Sequence, residues 1–229
     1  MLKLFSETSI RRTGQPWAFA EAYAAAIDAH WEKRQSANPS IFNGRTLMAV
    51  DIRLADGFLS ADMVDAEFKA FLHWRDHGFP DESVKHLISL AAVITSDNAL
   101  LLGEMGSQNV TGGLIYPPCG TFSFDDVAPD GIIHDKKCAI RELAEETGLD
   151  AAPHLNGGGL VIWCGAKVAL VRLCRVPMDA NEVRALAETH LNAQSDPELS
   201  AVHLVTGPGQ IPSGRSPRYV EMLLRHLFA

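Results

Sequence analysis

The chain lacks the means to hold a nucleic acid or a bilayer by bulk charge or apolar length. Its 229 residues carry 20 Lys and Arg against 28 Asp and Glu, a net charge of −8. With no basic excess to neutralise a phosphate backbone, general nucleic-acid binding is not expected. No run of eighteen apolar residues occurs, so no membrane span is expected either. The opening MLKLFSETSIRRTG mixes apolar and charged residues where a secretory signal would have a continuous apolar core. The four cysteines (Cys119, Cys138, Cys164 and Cys174) form no C-x-x-C pair, which reads as reduced thiols in a cytoplasmic protein and against a zinc site. The loop containing Gly207-Pro208-Gly209 and Pro212-Ser213-Gly214 lacks the Gly-Lys-Ser/Thr ending of a P-loop. Internal repeats and low-complexity tracts are missing too.

What is present is apolar content, 47% of residues, enough to bury a full core as one domain or as one domain with an embellishment. Residues 1–18 read as an irregular or strand-like arm, and Phe19–Ser36 as a helix of good formers closed by Ala37-Asn38-Pro39. Arg45–Ile52 and Gly57–Val64 read as strands joined at Ala55-Asp56-Gly57, an Asp-Gly hairpin signal. Glu67–His77 reads as a short helix stopped by Gly78-Phe79-Pro80. His73 and His77 stand four apart on it, a spacing that can hold a metal. With no third ligand in sight, the better reading is the C-terminal end of a helix, where positive charge is favoured. Strands are expected at His86–Thr95, Ala99–Met105, Leu114–Tyr116, Gly158–Gly165, Ala166–Val176 and Leu199–Thr206. Helices are expected at Ala180–Gln194 and Arg218–Phe228.

The stretch around which the rest is arranged is Ile133–Leu149, IHDKKCAIRELAEETGL. On a helix, Glu142, Glu145 and Glu146 fall three and four residues apart, so their carboxylates crowd one face and repel by a few tenths of a kcal/mol per pair. Bound Mg²⁺ would remove that penalty, since it takes a few carboxylates together with substrate phosphates. Asp135 is the expected N-cap before Lys136, and Gly148 the expected left-handed residue after the last turn. Cys138, Ile140, Leu143 and Leu149 remain to pack the helix on a core. The plain alternative is a solvated acidic helix face.

Arg141–Leu149, R-E-L-x-E-E-x-G-L, resembles the C-terminal half of the Nudix box. The first half departs from the family's Gly, five residues, Glu pattern. Counted forward from Gly120 it reads G-x5-D, with Asp126 in the Glu position and about seven extra residues, VAPDGII, before the helix; Pro129 and Asp130-Gly131 suit a loop excursion there. Tyr116-Pro117-Pro118-Cys119-Gly120 is similar to the family's strand ending in Pro-Gly-Gly, with Cys119 replacing one Gly. The resemblance implies an α+β fold, a mixed sheet sandwiched between helices over residues 84–229, with residues 1–83 as an N-terminal helix-plus-hairpin extension packed on it. It implies metal-dependent hydrolysis of a nucleoside diphosphate linked to another moiety, with Mg²⁺ or Mn²⁺ on Glu142, Glu145 and Glu146. Glu145, Glu146 and Arg141 would serve catalysis, Arg141 pairing with a carboxylate such as Asp126, and Gly120 would let the backbone pass close to the substrate phosphate.

The general base is open. Glu198, in Ser195-Asp196-Pro197-Glu198, is a candidate whose plainer reading is a surface carboxylate. The substrate is equally open among NDP-sugars, ADP-ribose, dinucleotides and coenzyme A derivatives. The segment upstream of the box has no arginine of the kind coenzyme A-cleaving members carry, yet the inserted box followed by CAIRE is similar to peroxisomal coenzyme A diphosphatases. A basic site beside aromatic stacking would mark the latter class. A second copy of the chain is a candidate partner. The competing class is a Nudix-fold protein that binds a nucleotide without cleaving it, favoured by the altered first half of the box and opposed by the three retained glutamates.

Overall fold

The computed structural model describes every residue except Ala151 and Asn156, and the described residues build two sheets and six α-helices. The main sheet is laid on β5 (His86–Ile94), buried along its whole length. A strand covered on both faces reads as a continuous apolar run, as HLISLAAVI does. Its neighbours are β11 (Lys167–Arg175), parallel to it, and then β10 (Gly159–Cys164). On its other side β5 divides its partners: Ile94 pairs with Leu100 of β6 (Leu100–Met105), whereas Ile88–Leu90 pair with β8 (Cys119–Thr121). The short β7 (Ile115–Tyr116) and then β12 (Leu199–Val205) pair with β6.

Alternate residues of β5 reach opposite faces. Ile88, Leu90, Ala92 and Ile94 pack with Tyr219, Val220, Leu223 and Leu224 of α6 (Arg218–Leu227). Ala91 and Val93 pack with Ala139 and Leu143 of α4 (Asp135–Thr147) and with Val183, Ala187 and Leu191 of α5 (Ala180–Ala193). The fold is therefore α+β, a mixed sheet between helices.

Residues 1–83 add a second layer. Of the two readings of the arm, irregular or strand-like, the second holds: it is two strands. β1 (Leu2–Phe5) extends the main sheet beside β10. β2 (Glu7–Pro16) lies parallel to β4 (Phe58–Glu67), which forms the expected hairpin with β3 (Arg45–Ala55). Asp56 and Gly57 both sit at positive φ, 49° and 79°, the turn that an Asp-Gly pair favours. The single helix expected at Phe19–Ser36 is broken at Tyr23 into α1 (Ala18–Ala22) and α2 (Ala24–Ala37). With α3 (Phe68–Asp76) these helices cover one face of the second sheet through Trp17, Ile27, Met48, Phe71 and Trp74. Its other face, through Ile10, Leu47, Leu59 and Met63, packs on Leu87, Val168 and Leu170 of the main sheet and on Cys138 of α4.

The inserted VAPDGII is more than a loop excursion. Ile132–Ile133 form β9, the fourth strand of the second sheet, with Ile133 opposite Ile10. Asp135 does not cap α4, correcting the expectation; the N-cap is His134. Asp135 is the first helical residue, and its carboxylate is buried against Arg172 of β11 at 2.6 and 2.9 Å and accepts from the Thr8 hydroxyl at 2.7 Å. A lone buried charge is too costly to hold, and this partner lies too far along the chain to be foreseen. Gly148 ends the helix at φ 72°, its N–H donating to the Ala144 carbonyl.

Candidate active site

α4 presents its carboxylates beneath the point where β5 parts from β6 and takes β8. Arg141 gathers two of them and one carboxylate from outside the helix. Its Nη1 lies 2.7 Å from Glu142 Oε1 and 3.0 Å from Glu145 Oε2, and its Nη2 lies 3.1 Å from Asp126 Oδ1. Asp126, although one methylene shorter than Glu, thus reaches the helix by way of a guanidinium. It is held at the end of a 3₁₀ turn, Phe124–Asp126, where its Oδ2 accepts the Ser123 N–H at 2.9 Å. Residues of the extension clamp this turn. Leu47 N–H donates to the Phe122 carbonyl at 3.1 Å, and the guanidiniums of Arg45 and Arg12 lie 3.5 and 4.3 Å from the centre of the Phe124 ring.

Glu146 faces inward and is only 5% exposed. It accepts the backbone N–H of Cys119, while its Oε2 has no hydrogen-bond partner. Burial, then repulsion by Glu142 and Glu198, raises its pKa well above the carboxylate range. Glu142 is pushed up to about 7, by burial first and against the pull of Arg141, with Glu145 and Glu198 adding repulsion. Gly120 is the residue that admits Glu142: a Cβ there would coincide with its carboxyl group and Cγ. Glu145 is the outermost, its side chain 59% exposed, on the far side of Arg141.

The geometry brings Glu198 in from the loop before β12. Gly106 N–H and Asn109 Nδ2 both donate to its carbonyl, and its carboxylate, raised by burial and then by Glu145, repels Glu142 and Glu146 in turn. Glu198 also stands in the wall of a cleft of about 410 Å³ that runs past Cys119 and Thr121. Phe68, Phe71, Arg75 and Phe79, from α3 and the residues after it, line the same cleft. Lys167 lines the cleft as well, its Nζ 5.3 Å from the Tyr219 ring centre. A cavity of about 440 Å³ between α1, α2 and β4 holds none of these carboxylates.

Arg75, Phe79 and Lys167 escape sequence reading because nothing in their spacing relates them to residues 120–146. His73 does fall in the last turn of α3 and His77 is its C-cap, but His73 is buried and its pKa lowered, by burial first and then by His77 and His30. The positive charge expected there is not favoured at His73.

Three of the five carboxylates thus share one guanidinium, and among the described residues no other cation is paired with them. The bare Oε2 of Glu146 and the elevated Glu142 show that the chain itself does not compensate these carboxylates, and an all-oxygen donor set is of the kind that suits a hard divalent cation.

No family model matches the chain, and no curated protein matches it in sequence. Among solved structures it is similar to a MutT protein of Methanosarcina mazei, with 16% identity over 62% of this chain and 92% of that one and a TM-score of 0.40. The Nudix hydrolase RenU of M. smegmatis is 14% identical over 62% and 85%, with a TM-score of 0.39. A bifunctional NMN adenylyltransferase/ADP-ribose pyrophosphatase of Francisella tularensis, complexed with AMP and a Mn ion, is 18% identical over 53% of this chain, at a TM-score of 0.38; the match spans only 34% of that protein's length. At these identities and scores the side chains must carry any reading of function.

Proposed function

We propose that this chain is a Nudix-type pyrophosphohydrolase that cleaves the diphosphate linkage of a nucleoside diphosphate joined to another moiety. The observation that carries the reading is the mutually repelling set of Glu142, Glu145, Glu146 and Glu198, of which Glu198 lines a cleft that aromatic and basic side chains also line. Glu142 and Glu146 are the inner ligands for Mg²⁺ or Mn²⁺, with Glu145 outside them. Bound there, the cation neutralises phosphate oxygens and lowers the pKa of a water. Arg141 holds Glu142 and Glu145 in place and ties them to Asp126. Glu198, raised by burial and set in the cleft wall, is the carboxylate we assign to take a proton from the attacking water. Phe68, Phe79 and Tyr116 offer faces for a base, and Arg75 and Lys167 offer positive charge to an anionic substituent. The last pair favours a substrate with a phosphate beyond the scissile diphosphate, as coenzyme A derivatives have. A cytoplasmic setting fits such substrates, and no helix of the described residues is long and apolar enough to cross a membrane.

The test is product release from ADP-ribose, NDP-sugars, NADH, coenzyme A and acyl-coenzyme A, with Mg²⁺ and with Mn²⁺, alongside Glu146→Gln. Metal-dependent turnover that falls at least about a hundredfold in the variant is expected, since a cation supplies several kcal/mol at the transition state. Ligand binding with no turnover on any member of the panel would overturn the hydrolase in favour of a nucleotide-binding protein.

A further inference from the structure

His73 and His77 acquire in three dimensions the third partner that the sequence withholds. His30, from α2, lies across from them, and one ring nitrogen of each residue falls within 4.8 Å of the others. The rings are mutually close, with centroids 4.0 Å apart for His73 and His77, 5.3 Å for His30 and His73, and 5.0 Å for His30 and His77. Asp76 is the carboxylate that stands beside the three imidazoles. The environment is ordered as it is around metal-bound histidines. His77 Nδ1 lies 2.8 Å from the His73 carbonyl, which it bonds as a donor, leaving Nε2 with its lone pair. His30 Nε2 lies 3.1 Å from Asp76 Oδ2, the carboxylate–histidine contact that fixes a tautomer and strengthens the other nitrogen as a ligand. His73, 7% exposed, has its Nδ1 buried with no hydrogen-bond partner.

We propose that His30, His73 and His77 form a three-imidazole site for a transition-metal ion of the zinc class, fastening α2 to α3. Imidazole donors select Zn²⁺, Ni²⁺ or Cu²⁺ over Mg²⁺, so this site and the all-oxygen cluster on α4 call for different ions. Bonds of about 2.0–2.1 Å in tetrahedral geometry set the nitrogens roughly 3.3 Å apart. The exposed His77 and half-buried His30 close the remaining distance by side-chain rotation. Three protein ligands leave a fourth position open. The site also reaches the cleft, because Asp76, which orients His30, accepts from Arg75 Nε and Nη2 at 3.0 and 2.8 Å.

The experiment is a Zn²⁺ titration by calorimetry of tag-free, chelator-stripped full-length protein in excess Mg²⁺, repeated with Co²⁺ to read the visible absorption of nitrogen-ligated metal. His77→Ala, His30→Gln and Glu146→Gln are run in parallel. His77 is exposed, so its truncation leaves the packing of α3 in place. One equivalent should bind to the parent and to Glu146→Gln. Affinity should fall at least about a hundredfold in His77→Ala and in His30→Gln, and Zn²⁺ should raise the melting temperature of the parent but not of His77→Ala. Failure of the parent to bind an equivalent would overturn the site, as would binding that survives His77→Ala and disappears in Glu146→Gln.

Discussion

Glu146 has one oxygen bonded and the other bare in the protein interior, and Glu142 sits on a glycine that has no room for a side chain. Both carboxylates are easier to protonate folded than unfolded, which fixes the sign of a pH effect. Between the ordinary carboxylate range and pH 7 the folded state binds more protons than the unfolded one, so metal-free stability falls as pH rises through that window. For Glu142 the loss is on the order of 2–3 kcal/mol. Chemical denaturation from pH 4.5 to 7.5 should show this decline, Glu142→Gln should flatten it, and Mg²⁺ or Mn²⁺ should reverse it at the upper end, where the ligands are ionised. Gly120→Ala tests the glycine. Its methyl overlaps the Glu142 side chain from Cγ to the carboxyl group, so the fold should lose about 1–3 kcal/mol while the displaced carboxylate costs most of the activity. A melting curve and a metal-dependent rate measured on the same protein separate the two effects.

At the scale of elements, α4 is fixed by more than its apolar stripe. The Asp135–Arg172 pair, each side chain 3% exposed, ties the first turn of the helix to β11, and the Thr8 hydroxyl brings in β2. Asp135→Ala leaves a buried guanidinium without its carboxylate and should cost about 3–5 kcal/mol by denaturant unfolding. At the other end Gly148 stops the helix, and the Glu145 carbonyl accepts from the side chains of His190 and Gln194 on α5. The glutamates therefore ride on a helix anchored at both ends, which is what a ligand set of fixed geometry requires.

For the whole molecule, residues 1–83 are as much part of the site as of the fold. They supply part of the lining of the cleft, the strands that pair with β9 and β10, and the arginines that enclose Phe124. Without them the face formed by Leu87, Phe122, Ile133, Val161 and Leu170 would meet water. A chain of residues 84–229 should therefore lack fixed packing, seen as lost near-ultraviolet dichroism with retained far-ultraviolet signal.

The sequence by itself determined what depends on local spacing. The 3.6-residue period placed Glu142, Glu145 and Glu146 on one side of a helix, Asp56-Gly57 made its turn, Gly148 its stop, and the apolar run at 86–94 its buried strand. Asp126 could be counted forward from Gly120 because the two are six residues apart, and it does reach Arg141. Only the tertiary structure decided what depends on encounters between distant segments. It turned Asp135 from a cap into half of a buried ion pair, made a strand of the insert, brought Glu198 to the glutamates and Arg75 to the cleft, and gave His73 and His77 a third imidazole from 43 residues before the first of them. A local pattern repeats because backbone geometry repeats, whereas partners from separate elements meet only once hydrophobic burial has set the layers, and burial responds to area, without regard to which polar groups it brings together.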